Sequence, residues 1–216
     1  MPAKDDGIRC IDDAFAASDR LGHWLHSSAE FRLERHGGTP FTVARLPDVI
    51  LREVCYAVED AIGERFEHAV VFARLSTREI DTAIRIHTDA MMGGSHAFIW
   101  SPSDPVHPKC GTGFFDHDVH GPGLSFAPEY HAEHARLLSE DAGTLQHWSL
   151  RTLAPLAANR LTIYPAHLFH CRYPFRSWGS TQEDGRVVLV GFGDVRPARM
   201  PATDISAPPP TSTTPD

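Results

Sequence analysis

Residues 159 to 170 read Asn159-Arg160-Leu161-Thr162-Ile163-Tyr164-Pro165-Ala166-His167-Leu168-Phe169-His170, and after a polar loop the chain continues Gly185-Arg186-Val187-Val188-Leu189-Val190-Gly191-Phe192. Both carry short runs rich in branched and aromatic residues, and proline or glycine bounds each. Strands are predicted over 160–164 and 186–192. The same texture extends backwards through His68 to Leu75, Thr82 to His87, His96 to Trp100, Gly111 to Phe115 and Trp148 to Leu153. Clusters of Gly, Pro, Ser and Asp separate these runs, the signature of a sandwich or barrel. With Gly 16 and Pro 17 in 216 residues, a helical bundle is disfavoured. The predicted class is mainly β with flanking helices.

Helices are predicted over 10–20 and 46–63. In the second, Leu46, Val49, Ile50, Val54, Ala57 and Ile62 recur near helical spacing, Pro47 sits where a first-turn proline is tolerated, and Gly63 ends the run. Residues 1–66 therefore read as a helical region bracing a β core over 68–194. A helical insert is expected over 127–140, with Ser125 as a cap, Pro128 opening it, and Tyr130, His134, Leu137 and Leu138 on one face. One domain over 1–196 is expected. The Pro-, Thr- and Ser-rich run over 197–216 cannot bury enough apolar surface to order itself and reads as a disordered tail.

Apolar residues at 42% and charged residues at 22% allow a substantial core. The formal charge of -8 opposes binding to phosphate backbones and anionic lipid, so neither nucleic acid nor membrane is expected as a partner. No apolar run approaches the roughly 20 residues that span a bilayer. Acids near Met1 replace the basic end of a secretion signal, and none is expected. Cys10, Cys55, Cys110 and Cys171 lie far apart without a C-x-x-C pair, which fits reduced thiols in the cytoplasm.

His 14 is a high count, yet composition alone yields about two His-x-acid pairs. Two occur. His131-Ala132-Glu133 lies on the predicted helix, where residues two apart do not face each other. In Ile84-Arg85-Ile86-His87-Thr88-Asp89, strand alternation puts His87 and Asp89 on one side, with Arg85 beside them. Two histidines and a carboxylate around divalent iron leave three positions open, so a bidentate cosubstrate and dioxygen can bind together.

The order His-x-Asp, distal His, then Arg on the next strand resembles the iron(II)/2-oxoglutarate-dependent oxygenase superfamily. The resemblance covers roughly residues 68 to 194 and includes Gly111-Thr112-Gly113-Phe114-Phe115. It implies a double-stranded β-helix, a jelly roll or cupin-like barrel. It assigns His87, Asp89 and His170 to iron as the catalytic metal ligands, and Arg186 to the distal carboxylate of 2-oxoglutarate. A guanidinium is a rigid two-pronged donor that stays charged, which suits an anchor. His167 competes with His170 for the distal place; the phrase Pro165 to His170 looks like the family's stretch in which the later histidine binds metal. The loop Phe175 to Asp184 lengthens the gap between His170 and Arg186. Where the family often has Ser or Thr two residues after the arginine, this chain has Val188, so Tyr164 or Thr162 is expected to supply the hydroxyl. Cys110 stands where many members have a glycine and has no assigned role. Arg85 could bind a substrate carboxylate, assist the other end of the cosubstrate, or pair with Asp81.

The implied activity couples decarboxylation of 2-oxoglutarate by dioxygen to oxidation of a small molecule, releasing succinate and CO2, with ascorbate as an in vitro aid. Asp89 fills the position a halide would need, so hydroxylation is the default, with desaturation or ring formation open. Ala90 to His96, residues 116–140 and 175–184, and His68 to Arg74 are expected to overhang the site. Trp178 is a candidate substrate or lid contact, and Met91 and Met92 could line the pocket or pack a core. His107, His117, His120, His131 and His134 lie in proline- and glycine-rich surroundings and read as solvated. Two rivals differ in class. A cupin-type metalloenzyme usually has His-x-His and a nearby glutamate, both missing here. A jelly-roll module could also keep its metal ligands without catalysis. Oligomeric state is not legible.

Overall fold

The computed structural model describes residues 6–36, 39–80, 85–105, 109–124, 127–175 and 179–197. In chain order the elements are β1 (Arg9–Ile11), α1 (Ser18–Ser27), β2 (Arg32–His36), β3 (Thr39–Arg45), α2 (Asp48–Ile62), β4 (Arg65–Ser76), β5 (His96–Ser101) and β6 (Gly111–His117). Then follow α3 (His131–Glu140), β7 (Trp148–Pro155), β8 (Arg160–Pro165), β9 (His170–Tyr173) and β10 (Arg186–Arg196). The fold is mainly β, with every strand pair antiparallel.

Seven strands form one sheet in the order β1-β8-β5-β10-β4-β3-β2, and three form a second, β7-β6-β9. Alternation sorts the side chains of the large sheet. Phe98, Trp100, Leu161, Ile163, Val187 and Leu189 point to a core shared with Val54, Val58 and Ile62 of α2 and Leu25 of α1. Ala97, Ile99, Tyr164, Val188 and Phe192 point the other way and pack with Phe114 of β6. The far face of the small sheet is covered in turn: Phe115 and Cys171 pack with Ile86, Leu124 and Leu137 of α3.

α2 forms because its apolar residues fall one turn apart. Val54, Val58 and Ile62 are all buried and contribute about 1.5–3 kcal/mol each. It stops at Gly63, whose φ of 69° is left-handed and whose N–H donates to the Glu59 carbonyl at 2.9 Å. At Gly191 the need for glycine is packing: its neighbour across the β10–β5 ladder is Phe98, and an added Cβ would run into that ring.

Several expectations need correction. Residues 10–20 do not form one helix: Arg9–Ile11 is a strand paired with β8, and the helix spans Ser18–Ser27. The region 1–66 is therefore not purely helical, since β1, β2 and β3 extend the large sheet. Tertiary pairing overrides a weak local helical pattern there. The helix expected over 46–63 is present as α2. The insert is a short 3-10 turn at Pro128–Tyr130 leading into α3. Of the strand expected over 82–87, residues 82–84 lie outside the described residues, and His87 makes an isolated bridge to His170. Ser125, Trp178, His107, Asp81, the side chain of Met91 and the tail beyond 197 also lie outside them.

Candidate metal centre

His87 and His170 belong to segments joined edge to edge. The His87 N–H donates to the His170 carbonyl at 3.0 Å, and the His170 N–H returns the bond to the His87 carbonyl at 2.8 Å. Two residues on, the Asp89 N–H donates to the Ala166 carbonyl at 2.9 Å. These bonds bring the three side chains together: one ligand atom from each of His87, Asp89 and His170 lies within 4.8 Å of the others. Among the described residues no other such group occurs.

Each imidazole is oriented from behind. His87 Nδ1 lies 2.9 Å from the Arg85 carbonyl and His170 Nδ1 lies 3.1 Å from the Leu168 carbonyl. A carbonyl only accepts, so both Nδ1 atoms carry hydrogen and both Nε2 atoms face the centre. There His87 Nε2 is 3.6 Å from Asp89 Oδ1, and His170 Nε2 is 3.1 Å from Asp89 Oδ2. The Tyr164 hydroxyl donates to Asp89 Oδ2 at 3.0 Å and lies 3.2 Å from His170 Nε2. Phe114 packs edge-on against Tyr164, with ring centroids 5.0 Å apart.

The charges follow from this packing. Burial, then the neighbouring His170, pushes His87 down to about 4, which leaves it neutral with a lone pair on Nε2. Burial would raise Asp89, but the charge of His170 and the hydrogen bonds from His170 and Tyr164 hold it below the usual carboxylate range. Burial would lower His170, but Asp89 outweighs it and raises the imidazole. Burial and then Asp89 raise Tyr164, so its hydroxyl keeps the proton it donates. The centre is thus a carboxylate, a neutral imidazole and a second imidazole that Asp89 biases toward its protonated form, a proton that a divalent cation would replace. Two nitrogens and a carboxylate suit iron, manganese or zinc, and the bonds behind each imidazole are those a metal centre needs.

His170, not His167, meets Asp89: His170 is 4% exposed, whereas His167 is an exposed residue of the turn before β9. Arg186, 9% exposed, opens β10 on the inner face with Val188, and its positive charge is felt at Tyr164. The side chain of Arg85 is exposed, and this residue serves the centre through its carbonyl. Thr162 is buried on β8 with its hydroxyl 3.7 Å from Cys10 Sγ, away from the triad's hydrogen bonds. An open cleft of about 860 Å³, lined partly by Asp6, Asp116, Arg151 and His167, includes none of the three.

Arg74 is a residue that sequence reading missed. It lies opposite Val188 in the β4–β10 ladder, its guanidinium sits 4.8 Å from the Phe41 ring centroid, and its charge weighs on His87, His170 and Tyr164. Its signal was a lone cation inside the apolar run Ala69 to Leu75. The histidines read as solvated divide. His131 is exposed and His120 half-buried, but His117 and His134 are 4% and 2% exposed. His117 is buried because α3 and the loop before it close over the far face of the small sheet, where its ring meets Trp148 at 4.6 Å.

No family model matches the chain, and none of the curated proteins does. Among solved structures it is similar to HygX from Streptomyces hygroscopicus, crystallised with nickel, 2-oxoglutarate and hygromycin B bound. That likeness has a TM-score of 0.44 and 13% identity, covering 88% of this chain and 83% of HygX. It is also similar to TqaL, described as an Fe(II)/α-ketoglutarate-dependent dioxygenase, with a TM-score of 0.41 and 11% identity over 88% of this chain and 82% of TqaL. No described helix is long and apolar enough to cross a membrane.

Proposed function

We propose that the protein is an iron(II)- and 2-oxoglutarate-dependent oxygenase that hydroxylates a small molecule, and that its fold is a double-stranded β-helix. The observation that carries the reading is the convergence of His87, Asp89 and His170, with both imidazoles turned Nε2-inward by backbone carbonyls. The winding supports the fold. From β4 the chain crosses to the segment at His87, returns to β5, crosses to β6 and β7, and returns to β8. It then crosses to β9 and returns to β10. Eight antiparallel stretches are thus shared between the two sheets, with β6 and β7 consecutive in the small one, a winding like that of a jelly roll.

In this reading His87 Nε2, His170 Nε2 and an Asp89 oxygen hold iron(II), and Arg186 anchors the distal carboxylate of 2-oxoglutarate. Bound there, iron and 2-oxoglutarate would supply the oxidising chemistry with dioxygen, giving succinate, CO2 and an oxidised substrate. The chain's own part is placement. Tyr164 steadies the Asp89 carboxylate through its hydroxyl, Phe114 and Val188 keep the floor of the site dry, and Arg74 and Arg186 make the inner face cationic, as an anionic cosubstrate requires. Small molecules are favoured as substrates, because the negative net charge opposes nucleic acid and anionic membrane. Action in the cytoplasm fits the four free thiols.

The test is turnover by purified protein supplied with iron(II), ascorbate and 2-oxoglutarate. Succinate should appear even without a primary substrate, and His87→Ala should abolish it. Metal-loaded protein that neither binds 2-oxoglutarate nor releases succinate would refute the reading.

A further inference from the structure

The triad is not covered evenly. Asp89 and His170 keep only 7% and 5% of their side chains exposed, whereas His87 keeps 34%, so the approach to the centre runs past His87. The register of the large sheet sets what stands along that approach. Tyr164, whose hydroxyl bonds Asp89, has Ala97 beside it on β5; Ala97 has Phe192 beside it on β10, and Phe192 has Val70 beside it on β4. Residues directly opposite in an antiparallel pair share a face, so this row crosses the sheet on the side that holds the triad. Alternation along β4 puts Phe72 and Arg74 on the same face as Val70, and Arg74 is near enough for its charge to weigh on both His87 and His170.

The apolar side chains of this face are covered toward β8 and open toward β4. Phe192 is buried, Phe72 is half-buried with its ring 5.9 Å from that of Phe192, and Val70 is 50% exposed. Met92, whose N–H donates to the Asp89 carbonyl at 2.9 Å, is also 50% exposed. A single exposed apolar residue is ordinary, but here two stand at the outer end of a wall that leads to three converging metal-ligand side chains. Covering such a wall favours a ligand in proportion to its own apolar area, whereas a hydroxyl pressed against it gives up water without gaining a partner. We infer that Val70, Phe72, Phe192 and Met92 receive the primary substrate, and that this substrate presents a hydrocarbon face, an aromatic ring or an alicyclic or branched skeleton, rather than a polyhydroxylated one. The inference rests on the proposed function and deepens it by naming the substrate class.

The experiment compares cyclohexanol with myo-inositol, rings of equal carbon number that differ in their hydroxyls, as probes of manganese-loaded full-length protein with 2-oxoglutarate present. Manganese in the triad speeds proton relaxation of a probe that dwells beside it, and zinc-loaded protein supplies the diamagnetic baseline. The enhancement for cyclohexanol should exceed that for myo-inositol by about threefold or more, and Val70→Asp should weaken cyclohexanol binding by about threefold or more, as loss of half a valine side chain's apolar contact implies. Val70→Thr, which keeps the shape, should weaken it in the same direction and decides the matter if Val70→Asp does not fold. Val49→Asp, at an exposed valine of α2, should match wild type. Equal enhancement of the two rings overturns the wall, and so do folded Val70 variants that bind cyclohexanol as Val49→Asp does. In those cases manganese-loaded wild type still binds 2-oxoglutarate and the proposed function stands. If it binds none, the proposed function fails and the wall with it.

Discussion

Tyr164→Phe isolates what holds the acidic ligand in place. The ring is fully buried and packs edge-on against Phe114 at 5.0 Å and against His170 at 4.9 Å, contacts that phenylalanine keeps. The variant deletes one oxygen, which donates to Asp89 Oδ2 at 3.0 Å. A buried hydrogen bond to a charged acceptor is worth about 1.5–3 kcal/mol, and part of that persists as Asp89 turns one oxygen toward a cation. The remainder, about 1.4 kcal/mol, corresponds to about a tenfold weaker metal affinity, the lower end of what partners of metal ligands contribute. Competition for manganese against a chromophoric chelator at constant pH measures this directly, and circular dichroism checks that the fold is kept. A dissociation constant within about twofold of wild type in a folded variant would refute the claim that this hydroxyl positions Asp89.

Three other outcomes follow from the packing. His134, 2% exposed, has Nε2 at 3.0 Å from the Thr88 hydroxyl, and burial, then His131, holds it below its ordinary 6.5. Its neutral form is favoured in the folded state, so its contribution is complete above about pH 6.5 and is lost as pH falls. Melting temperature between pH 7 and pH 5 should therefore drop more steeply for wild type than for His134→Leu. Asn159→Ala removes the carboxamide that accepts from Trp100 Nε1 and the Phe15 N–H, each at 3.0 Å, and donates to the Phe15 carbonyl at 3.1 Å. With the Trp100 N–H left buried and unbonded, denaturant unfolding should show a loss of about 3–4 kcal/mol. Gly191→Ala drives a methyl into the Phe98 ring and should cost about 1–3 kcal/mol by the same measurement.

The strands nearest the metal centre were legible because they are buried on both faces. Leu161 to Tyr164 and Val187 to Leu189 form dense apolar runs that few other structures accommodate. β2 and β3 were not legible. β2 is an edge strand of the sequence Arg-Leu-Glu-Arg-His, with Leu33 56% exposed, so it has no buried face to impose alternation. β3 contains Pro40, ordinarily a sign against a strand, yet Pro40 lies beyond the Thr42–Arg45 stretch that pairs with β4, so its missing N–H breaks no bond there. β9 spans only His170–Tyr173 and is defined by partners distant in sequence. At the site, the order of His87, Asp89, His170 and Arg186 could be read, but the place of Arg74 could not. A lone arginine in an apolar run is ambiguous until the register sets it opposite Val188 on the inner face.

The mutual backbone bonds between His87 and His170 also set a timetable. The two residues are separated by about 80 positions, and each fixes the other's carbonyl and amide. While the chain is being synthesised, His87 and Asp89 emerge long before the partner strand exists, and they offer a passing cation only two mobile ligands. Tight capture would await closure of the small sheet, so a metal held by the triad would be acquired late, by a nearly finished molecule. On the proposed reading, iron uptake would double as a marker of completed folding.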